Sequence, residues 1–268
     1  MISSRWLWRI AGSVGLATTV LFVAGLVYTV KDVLYPAPAS VAEQPGEPRR
    51  EKPLDNDQLQ IVALGDSLTK GTGDLSGKGY VQNVRELLEQ ESGKPVRLIG
   101  NYAVNGYRTD QLLRDLTTQS GIAYAVKQAN IVLLTIGGND LFAISENVLS
   151  SPNAAIDPDE LRARMPEPLQ RLEQILSKLA EMNPQAVIVY VGLYNPFYDL
   201  PEMRQASVYV QEWNNAAFQI INRFPNMVFV PTFDLFQLNF ADYMYTDHFH
   251  PNGEGYARIA RRVVQALM

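Results

Sequence analysis

Five short apolar runs, most of them rich in β-branched residues, recur along the chain: Leu59–Leu64, Val96–Val104, Ile131–Ile136, Ala186–Leu193 and Met227–Phe233. Most are nearly continuous in apolar character instead of alternating, which predicts strands buried on both faces. Between them the apolar period is that of helices. Gly79–Glu91 carries Val81, Val84, Leu87 and Leu88, residues 111–128 read as short helical pieces, and Asp157–Met182 repeats Leu161, Met165, Leu169, Leu172, Leu176 and Leu179. Asp157, Pro158 and Glu160 supply an N-cap, a first-turn proline and a capping-box acid. Pro166 and Pro168 are predicted to kink or split that helix. Another helix is expected after Pro201, and a last one from about Gly253 to Met268. Strands alternating with helices predict an α/β domain with a mostly parallel five-stranded sheet and helices on both faces.

The N-terminus obeys a different pattern. Ile10–Val30 holds no charged residue, and as a helix it would be about 30 Å long, the thickness of a bilayer's hydrocarbon core. Arg5 and Arg9 precede it, Lys31 and Asp32 cancel beyond it, and Trp6, Trp8, Tyr28 and Tyr35 stand near the interface positions. The positive-inside bias then predicts residues 1–9 in the cytoplasm, a transmembrane anchor over 10–30, and the remainder of the chain outside. A cleaved signal peptide is the competing expectation, with Ser40-Val41-Ala42 offering small residues for cleavage; the domain would then be secreted. Residues 31–58, with prolines at 36, 38, 45, 48 and 53, read as a linker, and the folded domain is expected over 59–268. A Pro-rich tether of this kind reaches at most on the order of 70 Å.

Composition removes several chemistries. Without a cysteine among 268 residues, a disulfide scaffold, a thiolate zinc site, an iron–sulfur cluster and a cysteine nucleophile are excluded. Two histidines cannot make a three-histidine metal centre. A net charge of −5 carries no electrostatic footprint for nucleic acid. Around Gly77-Lys78 the P-loop pattern fails, because Thr72 stands at its first glycine and Gly79 at its Ser/Thr. Thr69 replaces the second glycine of a G-x-S-x-G elbow at Ser67.

In an open parallel sheet the ligand sits beyond the carboxyl ends of the strands. Gly65-Asp66-Ser67-Leu68 follows the first run, Asn101 to Gly106 closes the second, Gly137-Gly138-Asn139-Asp140 follows the third, and Asp247-His248-Phe249-His250-Pro251 comes after the fifth. Such turns taken singly are ordinary caps and turns; together they supply the parts of an acyl-transfer site. A serine hydroxyl requires a base within hydrogen-bond reach, and only His248 or His250 can serve near neutral pH. Asp247, three residues before His250, can share a side with it on a turn, whereas the adjacent His248 would point away. Ser67, His250 and Asp247 are thus the expected catalytic residues. The backbone N–H groups of Ser67 and Gly106 and the side-chain amide of Asn139 are the expected oxyanion donors.

These four blocks resemble the SGNH hydrolase superfamily, also called the GDSL esterase/lipase family, which contributes Ser, Gly, Asn and His in that order. The resemblance covers about residues 59–268; the block at Gly106 is the weaker match and rests on spacing. It implies a flavodoxin-like three-layer α/β/α sandwich, no cofactor or metal, and hydrolysis of carboxylic esters or thioesters. Aromatic and aliphatic residues after the later strands are candidates for an acyl pocket, foremost Phe142, Ile144, Phe197 and Tyr198. The expected partner is a lipid or acylated envelope ester, with the membrane engaged through the N-terminal helix. A wall-sugar O-acetylesterase, a thioesterase and a tethered non-catalytic binding domain are the alternatives.

Overall fold

The computed structural model describes residues 4–34, 54–149, 162–199, 201, 204–237 and 239–268. The chain divides into two compact units, Met1–Glu51 and Lys52–Met268. Among the described residues of the first, helix α1 runs from Ser4 to Leu34. Its stretch Ala11–Lys31 is long and apolar enough to cross a membrane, and none of it is buried against protein. Thr18, Thr19 and Thr29 donate their hydroxyls to the carbonyls of Val14, Gly15 and Gly25. Their hydroxyls are therefore satisfied within the helix.

The second unit is a five-stranded sheet, β1 Leu59–Gly65, β2 Val96–Asn101, β3 Ile131–Thr135, β4 Val187–Val191 and β5 Met227–Val230. The order is β2-β1-β3-β4-β5, with every pairing parallel. Between the strands lie α2 Ser67–Lys70, α3 Gly79–Ser92, α4 Thr109–Thr118, α5 Ser120–Gln128, α6 Gly138–Leu149 and α7 Pro166–Met182. After β4 come α8 Ala206–Ile221, α9 Phe233–Gln237, α10 Phe240–Tyr243 and α11 Gly253–Leu267.

Alternating side chains along each strand divide between two cores. Val62, Leu64, Val132, Leu134, Ile188 and Tyr190 face one, covered by α4, α5, α7 and α8. Leu59, Ile61, Ala63, Ile131, Leu133, Val189 and Val191 face the other, covered chiefly by α3 and α11. Burial on both faces is why the central strands read as unbroken apolar runs. The result is the three-layer α/β/α sandwich expected from the blocks.

Element ends differ from the sequence reading in two places and follow it in a third. The β2 ladder stops at Asn101, but the chain continues beside β1, with Tyr102 N–H donating to Ala63 O at 2.8 Å and Val104 N–H to Gly65 O at 3.0 Å. The run Met227–Phe233 yields a strand only to Val230, and Phe233 opens α9. Residues 162–164 are helical and α7 starts afresh at Pro166, so the prolines split the helix. The Asp157–Pro158–Glu160 cap and the Pro-rich stretch 35–53 lie outside the described residues.

Candidate active site

Close approach of β1 and β3 sets the position of Ser67. Gly65 has φ +127°, and a Cβ there would fall 1.8 Å from Thr135 O; only glycine allows Asp66 N–H to donate to that carbonyl. Asp66 then caps α2 by accepting from Leu68 N–H at 3.1 Å, which sets Ser67 at the first turn of the helix. The α2 carbonyl of Thr69 is held by the Asn101 side-chain amide at 2.7 Å. Beneath the serine runs a buried chain of hydrogen bonds. The Thr135 hydroxyl donates to Asp66 at 2.6 Å, and the hydroxyls of Thr135 and Thr69 and of Thr69 and Tyr80 are 2.7 and 2.8 Å apart. Burial pushes the Asp66 carboxyl above the ordinary carboxylate value; the Thr135 hydroxyl, the Leu68 N–H and the His250 charge offset part of that rise.

The Asp247–His250 turn forms as a side-chain-capped loop. Asp247 Oδ1 accepts the backbone N–H groups of Phe249 at 3.0 Å and His250 at 2.9 Å, while Oδ2 stands 2.7 Å from His250 Nδ1. His250 Nε2 lies 2.8 Å from Ser67 Oγ. A carboxylate can only accept, so Nδ1 carries the proton and Nε2 is left to accept from the serine hydroxyl. Partial burial alone would raise Asp247, but the His250 backbone and imidazole and the Phe249 N–H outweigh it and hold the carboxyl below its ordinary value. His248 takes a left-handed backbone (φ 53°) and turns outward, 73% exposed, with Asp199 at 3.8 Å. From the other side, the Tyr194 hydroxyl donates to Phe249 O at 2.8 Å and ties the loop to the end of β4.

The third turn carries Asn139. Gly137 has φ +114°, and its missing Cβ leaves room for the buried Trp213 ring. Trp213 Nε1 donates to Tyr190 Oη at 2.9 Å, and that hydroxyl to Ile136 O at 2.7 Å, fixing the end of β3. Asn139 Nδ2 donates to Tyr107 O at 2.9 Å, in the turn that holds Gly106. A buried clamp reinforces this contact. Asp140 accepts from Thr109 N–H at 3.0 Å and the Thr109 hydroxyl at 2.6 Å, and Arg171 Nε donates to the same hydroxyl at 2.9 Å. Gly106 itself has φ +77°. Among the described residues no acceptor pairs with the backbone N–H of Ser67 or Gly106, and Asn139 retains a second amide proton.

An apolar cleft of about 870 Å³, the open solvent at its mouth included, lies beside Ser67. Asp66, Ser67, Leu68, Gly138 and Asn139 form its polar end, and Leu141, Phe142, Leu193, Pro196, Phe197 and Phe249 its walls. Phe142, Phe197 and Phe249 touch one another with ring centroids 5.7–6.2 Å apart. Of the four residues expected in a pocket, Phe142 and Phe197 line the cleft. Tyr198 does not; it packs toward the opposite core, where its hydroxyl accepts from Gln237. The side chain of Ile144 lies outside those described.

Sequence reasoning missed Tyr194, Leu193 and the α8 residues Ala206, Tyr209 and Val210 of the cleft, none of which sits in a motif. It also missed the Thr135–Thr69–Tyr80 chain, although Thr135 is the one polar residue in its apolar run. Among the described residues no group of three or more His, Asp or Glu side chains is disposed to hold a metal ion.

Residues 63–258 match the model of the GDSL-like Lipase/Acylhydrolase family. The uncharacterized protein YpmR of Bacillus subtilis is 35% identical over 226 residues, 83% of this chain and 86% of its own. The spore germination lipase LipC of Bacillus licheniformis is 27% identical over 206 residues, 76% of this chain and 94% of its own. Among solved structures, the lipase Lip_vut3 from a goat rumen metagenome superposes with a TM-score of 0.69 at 27% identity, covering 78% of this chain and 97% of that one. With a matching family model across most of the chain and a parallel sheet that brings the Ser, Asn and His blocks to one edge, the protein belongs to the GDSL-like lipase/acylhydrolase family and is a hydrolase of ester bonds.

Proposed function

We propose that the enzyme cleaves carboxylic esters of lipid-like or other acylated substrates through an acyl-serine intermediate, with Ser67, His250 and Asp247 as catalytic triad. The single observation that carries this reading is the continuous line Asp247 Oδ2–His250 Nδ1 at 2.7 Å and His250 Nε2–Ser67 Oγ at 2.8 Å. His250 takes the Ser67 proton as Oγ attacks the carbonyl carbon, and Asp247 holds the imidazole in the required tautomer and stabilises its charge. The oxyanion receives hydrogen bonds from Ser67 N–H, Gly106 N–H and the free Asn139 amide proton. His250 then protonates the leaving alkoxide, and water returns through the same base to release the acid and restore Ser67. The apolar cleft supports an acyl chain on the substrate, as does likeness to proteins named as lipases. Helix α1, with Arg5 and Arg9 before its apolar stretch, supports a membrane-tethered enzyme whose catalytic domain lies outside the cytoplasm.

A fluorophosphonate probe tests the reading. It is expected to label the parent at Ser67 and to leave Ser67→Ala and His250→Ala unlabelled, with circular dichroism unchanged. Labelling at another residue would overturn it by moving the nucleophile from Ser67, and no labelling of folded parent would overturn it in favour of a non-catalytic domain.

A further inference from the structure

The cleft has a direction. Strands in a sheet are about 4.8 Å apart, and Ser67 follows β1, Asn139 follows β3 and Phe197 follows β4, in the spatial order β1-β3-β4. The cavity therefore runs roughly 10 Å across two strand spacings, away from the serine. Gly138, after β3, and Leu193, after β4, meet in the second spacing, where a Cβ on the glycine would lie 3.8 Å from the leucine, and the Phe142–Phe197 pair joins the same two turns. The rest of the wall is the first turns of α8, through Ala206, Tyr209 and Val210.

This far wall is braced. Tyr209 packs with Met165, Leu141 and Leu169. The guanidinium of Arg162 lies over its ring at 5.6 Å and is held in turn by a two-pronged pair with Glu212, one turn further along α8. A braced aromatic wall at a fixed distance from the reacting atom admits chains up to that length and excludes longer ones.

Resting on the acyl-serine reading above, we infer that Ala206, Tyr209 and Val210 of α8 set the acyl-chain length the enzyme accepts, and that its substrates carry fatty acyl chains of medium length in preference to acetyl groups. Ala206 has the smallest side chain of the three, so a larger residue there shortens the cleft. Tyr209 has the largest, so its removal lengthens it.

The full chain in lipid nanodiscs is assayed on p-nitrophenyl esters from acetate to palmitate, and on a reversed series of alkyl acetates. In the parent, kcat/KM is expected to rise from acetate to a medium-chain maximum. Ala206→Phe should lower the octanoate-to-acetate ratio of kcat/KM at least tenfold, since each methylene lost from an apolar pocket weakens the transition state about tenfold or more. Tyr209→Ala should move the maximum to longer chains. Val210→Phe is read like Ala206→Phe, and fluorophosphonate labelling of Ser67 reports that each variant is folded. Profiles unchanged in labelled variants would overturn the inference while leaving the ester hydrolase reading intact. A shift confined to the alkyl acetates would overturn it by assigning the cleft to the alcohol. Failure of the parent to hydrolyse any ester or to label at Ser67 would overturn both.

Discussion

Replacing Gly137 by alanine tests how the fold positions Asn139. The backbone there has φ +114°, a region that L side chains rarely adopt, at a cost of about 1–3 kcal/mol. The new Cβ would stand 2.2, 2.6 and 3.0 Å from three atoms of the Trp213 ring. That indole has no exposed surface and is pinned by its hydrogen bond to Tyr190, so it cannot withdraw without stranding a buried N–H. Overpacking of this kind costs about 1–3 kcal/mol more. The combined loss is about 2–6 kcal/mol, which for a domain of this size lowers Tm by about 5–20 °C. Thermal unfolding followed by near-UV circular dichroism measures it. Ester turnover below Tm should also fall, because the substitution lies two residues before Asn139. The double variant Gly137→Ala/Trp213→Phe should show a coupling of about 1–3 kcal/mol, recovering the steric part but not the backbone strain. A Gly137→Ala protein that unfolds within 2 °C of the parent would refute the reasoning.

Asn139→Ala should lower kcat about 10²–10³-fold with little change in KM, the signature of a donor used mainly in the transition state; a change in KM alone would assign the amide to substrate binding instead. His248→Ala should alter ester turnover by less than threefold, whereas Asp247→Ala should cost about 10⁴-fold. Steady-state kinetics on p-nitrophenyl butyrate separates them, and an inactive His248 variant beside an active His250 variant would reverse the assignment. Asp66 yields a prediction of pH-dependent stability. Its carboxyl is raised in the folded chain, so between 3.8 and that raised value the folded state holds a proton that the unfolded state has released, and stability falls as pH rises. Asp66→Asn keeps an oxygen for Leu68 and Thr135 but carries no charge. Urea unfolding should therefore show the variant gaining on the parent with increasing pH, and a gap that stays flat would contradict it.

How far the sequence was legible follows from which interactions are local. The central strands were readable because both faces of β1, β3 and β4 are buried, leaving unbroken apolar runs. The pairing of Asp247 with His250 was readable because three residues of spacing and one side-chain-capped turn suffice to make it. Gly106 was weakly legible, since its place depends on the Asn139–Tyr107 contact across 32 residues. The cleft was read only in part. Phe197 faces the cleft while its neighbour Tyr198 turns to the opposite core, a choice made by the loop after β4 that no periodicity announces. Ala206 and Val210 read as an ordinary apolar helix face, and only the docking of α8 beside the cleft makes them a wall. Short helices α9 and α10 were missed because four or five residues carry too little period to register.

The claim on which the rest depends is that Ser67 carries the acyl group. Rapid mixing of the full-length enzyme with p-nitrophenyl octanoate, acid quench and peptide mass spectrometry tests it directly. The account predicts a burst of p-nitrophenol and an octanoyl adduct on the peptide containing Ser67, both lost in Ser67→Ala. Steady turnover by Ser67→Ala, or parent turnover with no adduct on that serine, would contradict it.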